Sequence, residues 1–283
     1  MKKLNILGDV VEEKALLRDK FIEPPFSVLD GKNGLWQGRK RKWRDLGIKS
    51  EVGRNAPVIH MDTTAKANNT TNYTSIFDPA LCEVLYHWFV PDSGSILDPF
   101  AGGSVRGIVA NYLGYKYTGI DIRPEQIESN LEQAKDILGV NNMPTYYVGD
   151  SNIILDTIDS KFDFVFSCPP YADLEVYSDL DGDISNMEYE DFMVAYTSII
   201  HKSCDKLKDD GMACFVVGEI RDKKGDYRGF VPDTINAFIS CGMKYYNEAI
   251  YTTPIASASM RANNNMVNKK LVKTHQNVLV FKK

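Results

Sequence analysis

From Asp78 onward, segments with helically spaced apolar residues alternate with short apolar runs bounded by Gly, Asp or Pro. DPALCEVLYHWFV (78–90) reads as a helix, GSILDPF as a strand, GGSVRGIVANYLG as a helix closing on Gly114, and YKYTGIDI as a strand. RPEQIESNLEQAKDILG is the next helix, with Pro124 near its first turn and Gly139 after its end, where helices favour those residues. TYYVGD and KFDFVFSCPPY are strands, followed by the long amphipathic helix YEDFMVAYTSIIHKSCDKLKDDG, the strand GMACFVVGEI and the helix VPDTINAFISCG. Such alternation predicts an α/β fold whose mostly parallel sheet is covered by helices on both faces. KYYNEAIYTTPI and HQNVLVFKK close the pattern with no helical period between them. They are predicted to pair antiparallel across a long loop, 254–274. One antiparallel terminal strand on a parallel sheet is a narrower architecture than a plain dinucleotide-binding fold.

Ahead of this region the chain is different. Residues 1–55 are rich in Arg, Lys, Trp and Pro, and HMDTTAKANNTTNYT (60–74) is polar and aperiodic. The expected division is therefore an N-terminal extension, 1–74, and a catalytic unit, 75–283. No apolar run reaches the ~18 residues that span a bilayer, and the N-terminus lacks a signal-peptide core. Five cysteines form no CxxC pair, and four histidines stand at no ligand spacing. The expectation is a cytoplasmic protein with free thiols, no metal and no membrane partner.

The strand FDFVFS runs into Cys168, Pro169, Pro170 and Tyr171. Two prolines lack backbone N–H groups, so a central strand must end there. Strand carboxyl ends are where ligands bind in open α/β sheets. The corner is thus a stiff turn carrying an aromatic ring at a ligand-binding edge. A second candidate lies in LDPFAGGSVRG (97–107), where a strand meets a helix through a glycine turn. This turn matches neither GxGxxG nor a phosphate loop. Asp98, Asp121 and Asp150 end three successive strands. One such Asp is commonly a helix N-cap. Three, with the glycines, point to a site for a nucleoside carrying an amino acid: Asp98 toward an ammonium, Asp121 toward ribose hydroxyls, Asp150 toward an adenine amine.

DPFAGGS (98–104) resembles the DPFxGxG cofactor motif of the amino-methylating DNA methyltransferases, and CPPY (168–171) resembles their [DNS]PPY catalytic motif. FDPALCEVL (77–85) sits where that family has the segment before its first strand, so the motif order resembles the gamma type. The resemblance covers about 75–283. The stretches DKFIEPPFSVLDGKNGLWQGRKRKW and THQNVLVFKK further resemble a phage and prophage group of DNA modification methylases. The resemblance implies a Rossmann-like S-adenosylmethionine-dependent methyltransferase fold and S-adenosyl-L-methionine as cofactor. It implies cofactor contacts at Phe77, Asp98, Pro99, Phe100, Ala101, Gly102, Gly103, Ser104, Asp121, Ile122, Asp150 and Ser151. Catalysis falls to Cys168, Pro169, Pro170 and Tyr171, acting on the amine of a base flipped from duplex DNA, adenine N6 before cytosine N4.

The chemistry explains the corner. An exocyclic amine is a poor nucleophile because its lone pair is delocalised into the ring. Acceptors for both its protons, one of them the Pro169 carbonyl, return density to nitrogen, and Tyr171 offers a face for stacking. The departure is Cys168, where the family has Asp, Asn or Ser, because sulfur accepts weakly. A water, Ser167 after a local twist, or Glu175 are the alternatives for the second acceptor. Cys168 as a nucleophile toward a pyrimidine ring carbon is a further one. An RNA or protein N-methyltransferase, or a DNA-binding protein weakened in catalysis, also remain open.

Net charge is −5, yet charge is uneven. WQGRKRKWR (36–44) holds five cations and two tryptophans, and RDKKGDYR (221–228) and 261–273 are also basic. Acids gather in 173–191. Arg39, Lys40, Lys42, Arg44, Arg261, Lys269 and Lys270 are the expected DNA contacts, with target-recognition loops at 172–188 and 254–274. The competing reading is a set of solvated faces, with the Trp36 and Trp43 side in the core. The sequence leaves monomer and homodimer open.

Overall fold

The computed structural model describes residues 17–49, 77–171, 180, 182–255 and 258–283. Eight strands form one sheet: β1 (Val28–Asp30), β2 (Ser95–Asp98), β3 (Lys116–Asp121), β4 (Thr145–Val148), β5 (Phe162–Ser167), β6 (Leu207–Val217), β7 (Lys244–Thr252) and β8 (His275–Lys282). Their order is β1-β7-β8-β6-β5-β2-β3-β4. Every neighbouring pair is parallel except β6·β8 and β7·β8, so β8 alone is reversed. The predicted hairpin of the last two strands is present. Its second strand is inserted between β6 and β7 rather than added at an edge.

Helices α3 (Pro79–Phe89), α4 (Val105–Tyr112), α5 (Pro124–Leu138), α7 (Tyr189–Asp205) and α8 (Phe230–Ser240) follow the predicted alternation, α6 (Ser151–Thr157) lies between β4 and β5 where no helix was expected, and α1 (Leu17–Phe21) and α2 (Gly34–Asp45) precede them. The apolar core divides into two layers, one on each sheet face. One joins α2, α3 and α4 to Phe164, Phe166 and Val280; the other joins α6, α7 and α8 to Val165, Phe215 and Phe281. The alternation of β5 explains the split, since successive side chains of a strand face opposite sides.

Two further features depart from expectation. The described part of the N-terminal extension is built into the sheet: Val28–Asp30 pairs with Ile250–Thr252 as an edge strand. In addition, 254–274 is not all loop, since Ala258–Val267 forms helix α9. Its Asn- and Ser-rich composition hides the helix, because such residues favour turns when read locally. Among the described residues no helix is long and apolar enough to cross a membrane, and no three His, Cys, Asp or Glu side chains are grouped to hold a metal ion.

Candidate active site

The sheet winds outward from β2 through β3 to β4, then returns to β5 on the other side of β2. This reversal opens a crevice at the carboxyl ends of β2 and β5, the general ligand position in such sheets. Both candidate motifs lie at this crevice, the glycine turn after β2 and the proline corner after β5.

The turn after β2 is held from inside. Asp98 is fully buried and accepts from four donors: Arg106 Nε at 2.5 Å, Tyr117 Oη at 2.7 Å, Ser167 Oγ at 2.6 Å and the Phe100 N–H at 3.1 Å. Arg106 also donates to the carbonyls of Phe100 and Ala101. The cation at Asp98 is therefore the protein's own, and the expected role of Asp98 toward a ligand's ammonium gives way to a role in building the turn. Pro99 and Ala101 are buried beneath it. Gly102 has φ +49°, in the left-handed region, and its N–H donates to Asp121 Oδ2 at 2.9 Å. A Cβ on Gly103 would meet nothing within 4 Å, so the turn faces open space there. Ser104 donates to Gln133, which also grips the backbone of Lys49 through both its amide atoms.

Asp121 at the end of β3 accepts from the Gly102 and Arg123 N–H groups. Burial raises its carboxyl above the ordinary aspartate range, against the opposing charge of Arg123 and both backbone donors. Half-buried Ile122 follows it. Asp150 is the N-cap of α6, accepting from the Asn152 N–H, and Ser151 Oγ donates to the Pro99 carbonyl. The stretch 182–187, part of the expected target-recognition loop 172–188, lies over these acids. A Cβ on Gly182 would stand 3.3 Å from Asp150 Oδ2, Asp183 is close enough to raise the Asp121 carboxyl, and Ile184 packs with Ile120 and Leu155. Residues 172–179 and 181, with Glu175, lie outside the described residues.

At the corner, Ser167 points into the core and donates to Asp98, which ties the end of β5 to the end of β2. A local twist of Ser167 toward a substrate is thus not found. Cys168 is half-buried and packs against the apolar layer that holds Phe77 and Phe166. Pro169 is buried and Pro170 half-buried. Tyr171 stands edge-on to Phe230, 6.1 Å between centroids, and its hydroxyl accepts from Gln276 Nε2 at 2.9 Å. Phe77 meets Phe166 edge-on at 5.7 Å, with the Arg106 guanidinium 4.9 Å from its ring centroid. Gln276, missed in the sequence, is recognisable only once β8 is known to run beside β6.

No protein-family model and no curated protein matches the chain in sequence. Among solved structures, a protein described as a SAM-dependent methyltransferase from Streptococcus mutans superposes with a TM-score of 0.51 at 14% identity, over 76% of this chain and 51% of that one. This chain has the SAM-dependent methyltransferase fold. TrmN from Thermus thermophilus (TM-score 0.49, 12% identity, 73% of this chain and 49% of that one) is also similar. So is ChlM, the magnesium protoporphyrin IX methyltransferase of Synechocystis with bound SAM (TM-score 0.46, 11% identity, 72% and 79%). The chain spans about half the length of the Streptococcus and Thermus proteins.

On this methyltransferase fold the predicted cations separate. Arg39 is paired with Glu83 at 2.5 and 2.6 Å, and Lys40 with Asp78 at 3.0 Å. The buried indoles of Trp36 and Trp43 donate to the same two carboxylates, so the aromatic side of α2 is core. Arg39 and Lys40 fasten α2 to α3, so two of the expected phosphate contacts are held in ion pairs within the protein. Lys42, Arg44, Arg261 and Lys269 are exposed. A groove of about 550 Å³, lined by Arg18, Trp36, Lys42, Trp43, Glu83 and Tyr112 among others, holds none of the strand ends and is separate from this site.

Proposed function

We propose that the chain is an S-adenosyl-L-methionine-dependent methyltransferase acting on the exocyclic amine of a base flipped from duplex DNA, adenine N6 before cytosine N4. The observation that carries this reading is the proline corner with Tyr171, set beside the glycine turn at the crevice between β5 and β2. Bound S-adenosylmethionine supplies an electrophilic methyl group. The residues fit such a cofactor: Gly103 leaves open space, Asp121 keeps acceptor capacity beyond its two backbone donors, and Asp150 and Ser151 head the neighbouring helix. Phe77, Phe100, Gly102, Ser104 and Ile122 complete the wall in this reading, with Asp98 holding the turn from beneath. The corner's own work is to accept from the amine protons at the Pro169 carbonyl and to stack the base on Tyr171, since the amine is unreachable inside the duplex. Holding both partners in line lowers the barrier by proximity.

Modified-base mass spectrometry of DNA from cells expressing the chain, with methyl-transfer assays on DNA, RNA and protein, tests the proposal. N6-methyladenine or N4-methylcytosine supports it, and transfer only to RNA or protein replaces it.

Cofactor affinity is expected to depend on pH through Asp121. The carboxylate accepts from ribose hydroxyls and loses acceptor strength on protonation. Burial raises its pKa, so affinity falls with decreasing pH from above the range where ordinary aspartates protonate. Calorimetry across pH reads the effect. Asp121→Asn should bind more weakly by roughly 1–3 kcal/mol and show no such dependence. A wild-type profile parallel to that of the variant removes Asp121 from the cofactor site.

For DNA, Lys42→Gln with Arg44→Gln should reduce the salt slope of binding by up to ~1.8, at ~0.9 per phosphate. Arg39→Gln should leave the slope unchanged, because its partner is Glu83. Equal slopes for all three proteins would mark α2 as a solvated face.

A further inference from the structure

Because β8 runs against its neighbours, the stretch before it arrives at the carboxyl end of β6, beside the proline corner. There Gly218 follows β6. A Cβ at this position would stand 3.5 Å from Lys273 Nζ and 3.6 Å from Tyr171 Oη. Gly218 does not have a positive φ, so the backbone does not require glycine. What glycine leaves is a gap between an ammonium and the tyrosine hydroxyl.

The gap has the Lys273 ammonium on one side, with the Glu219 carboxylate in electrostatic reach of it. Lys273 is half-buried and makes no hydrogen bond or ion pair with a described residue. Burial lowers its pKa, against the raising influence of Glu219. Glu219 is engaged elsewhere, its Oε1 accepting from the N–H groups of Ile220, Gly229 and Phe230. His275, two residues on, is lowered by burial and then by the charge of Lys273. The neighbouring segments carry further cations, together with Asp222 and Asp226. Lys270 lies directly on Gly225 of the 221–227 hairpin, whose Arg221 guanidinium covers the Tyr227 ring at 3.9 Å and whose Lys223 and Lys224 are exposed. A partly desolvated ammonium facing a hydroxyl across a gap is arranged for an anion, and a charge-assisted contact there is stronger than a neutral one.

We infer that Lys273, Tyr171 Oη and the gap at Gly218 form an anion subsite that takes a backbone phosphate of the strand bearing the target base. The inference rests on the proposed function and deepens it by placing a phosphate of the nucleic-acid substrate beside the corner, where a protein amide would bring none. Gln276 is a positioning residue that fixes the tyrosine hydroxyl at the edge of the subsite.

The test uses the full chain, a mixed-sequence DNA duplex, a mixed-sequence RNA and phosphate-free adenosine. Lys273→Gln removes the charge, Lys273→Arg keeps it, and Gly218→Ala fills the gap at ordinary van der Waals distances. Lys273→Gln should raise KM for the duplex about tenfold, leave kcat within about twofold, and lower the salt slope by ~0.9. Gly218→Ala should raise KM without changing the slope as much, and Lys273→Arg should behave as wild type. Urea midpoints and cofactor affinity should match wild type in all three, which separates the subsite from a structural role. An unchanged KM and slope in Lys273→Gln overturns the inference, as does an equal loss with adenosine. If the wild-type chain methylates no DNA, the proposed function falls and the binding slopes decide the subsite alone. A lower slope for Lys273→Gln on DNA or RNA then upholds it, and equal slopes on both overturn it.

Discussion

Asp98→Ala is expected to lower the unfolding free energy by about 3–5 kcal/mol, the cost of leaving one member of a buried ion pair without its partner. Arg106 is 5% exposed and Asp98 is not exposed at all. Removing the carboxylate strands the guanidinium and takes the acceptor from the hydroxyls of Tyr117 and Ser167. Domains are typically stable by only 5–15 kcal/mol, so much of the reserve disappears. Urea denaturation reads this directly. The position tests the sequence reading as well. If the variant keeps its unfolding free energy within about 1 kcal/mol and loses cofactor affinity instead, Asp98 is a ligand contact and Arg106 is displaced on binding.

The second large effect is at the corner. Tyr171→Ala should lose most methyl-transfer activity, since stacking on a flipped base is worth ~1–3 kcal/mol and misplacement of the base adds to it. Cofactor affinity should change less than turnover, because Tyr171 stands against Phe230 and Gln276 on the proline-corner side of the crevice. Cys168→Ser should retain substantial activity, as a hydroxyl accepts better than a thiol. A nucleophilic Cys168 predicts the opposite: an inactive serine variant, and a covalent adduct between the wild-type chain and a 5-fluorocytosine duplex. That adduct, with 5-methylcytosine in the product, would move the enzyme to the carbon-methylating class.

The parts of the molecule legible in the sequence are those fixed by local signals. Helical and strand periods marked most units from α3 to β8, with prolines and glycines at several of their ends, while the short α6 and the Asn-rich α9 went unmarked. What escaped was long-range. The partners of Arg39 and Lys40 lie 44 and 38 residues away, so a basic cluster looked free when two of its five cations are paired. The four donors to Asp98 come from its own turn, α4, β3 and β5, a convergence no spacing rule reports. Strand β1 has only three residues, too short for a period, and follows a proline pair that reads as a breaker. Lys273 and Gln276 gain meaning only from the reversed direction of β8.

The insertion of β8 also imposes an order of assembly. Strands β7 and β1 reach the rest of the sheet only through β8. Residues 28–30 therefore emerge early but have no strand to join until 244–252 exist, and that pair remains outside the sheet until 275–282 slide between it and β6. Contacts of such high sequence separation form slowly. The half of the sheet from β2 to β6 can close first, leaving the flank of β6 uncovered while the last strand is awaited. In pulsed hydrogen exchange, amides of β1 and β7 should gain protection together, and only after those of β2, β3 and β5.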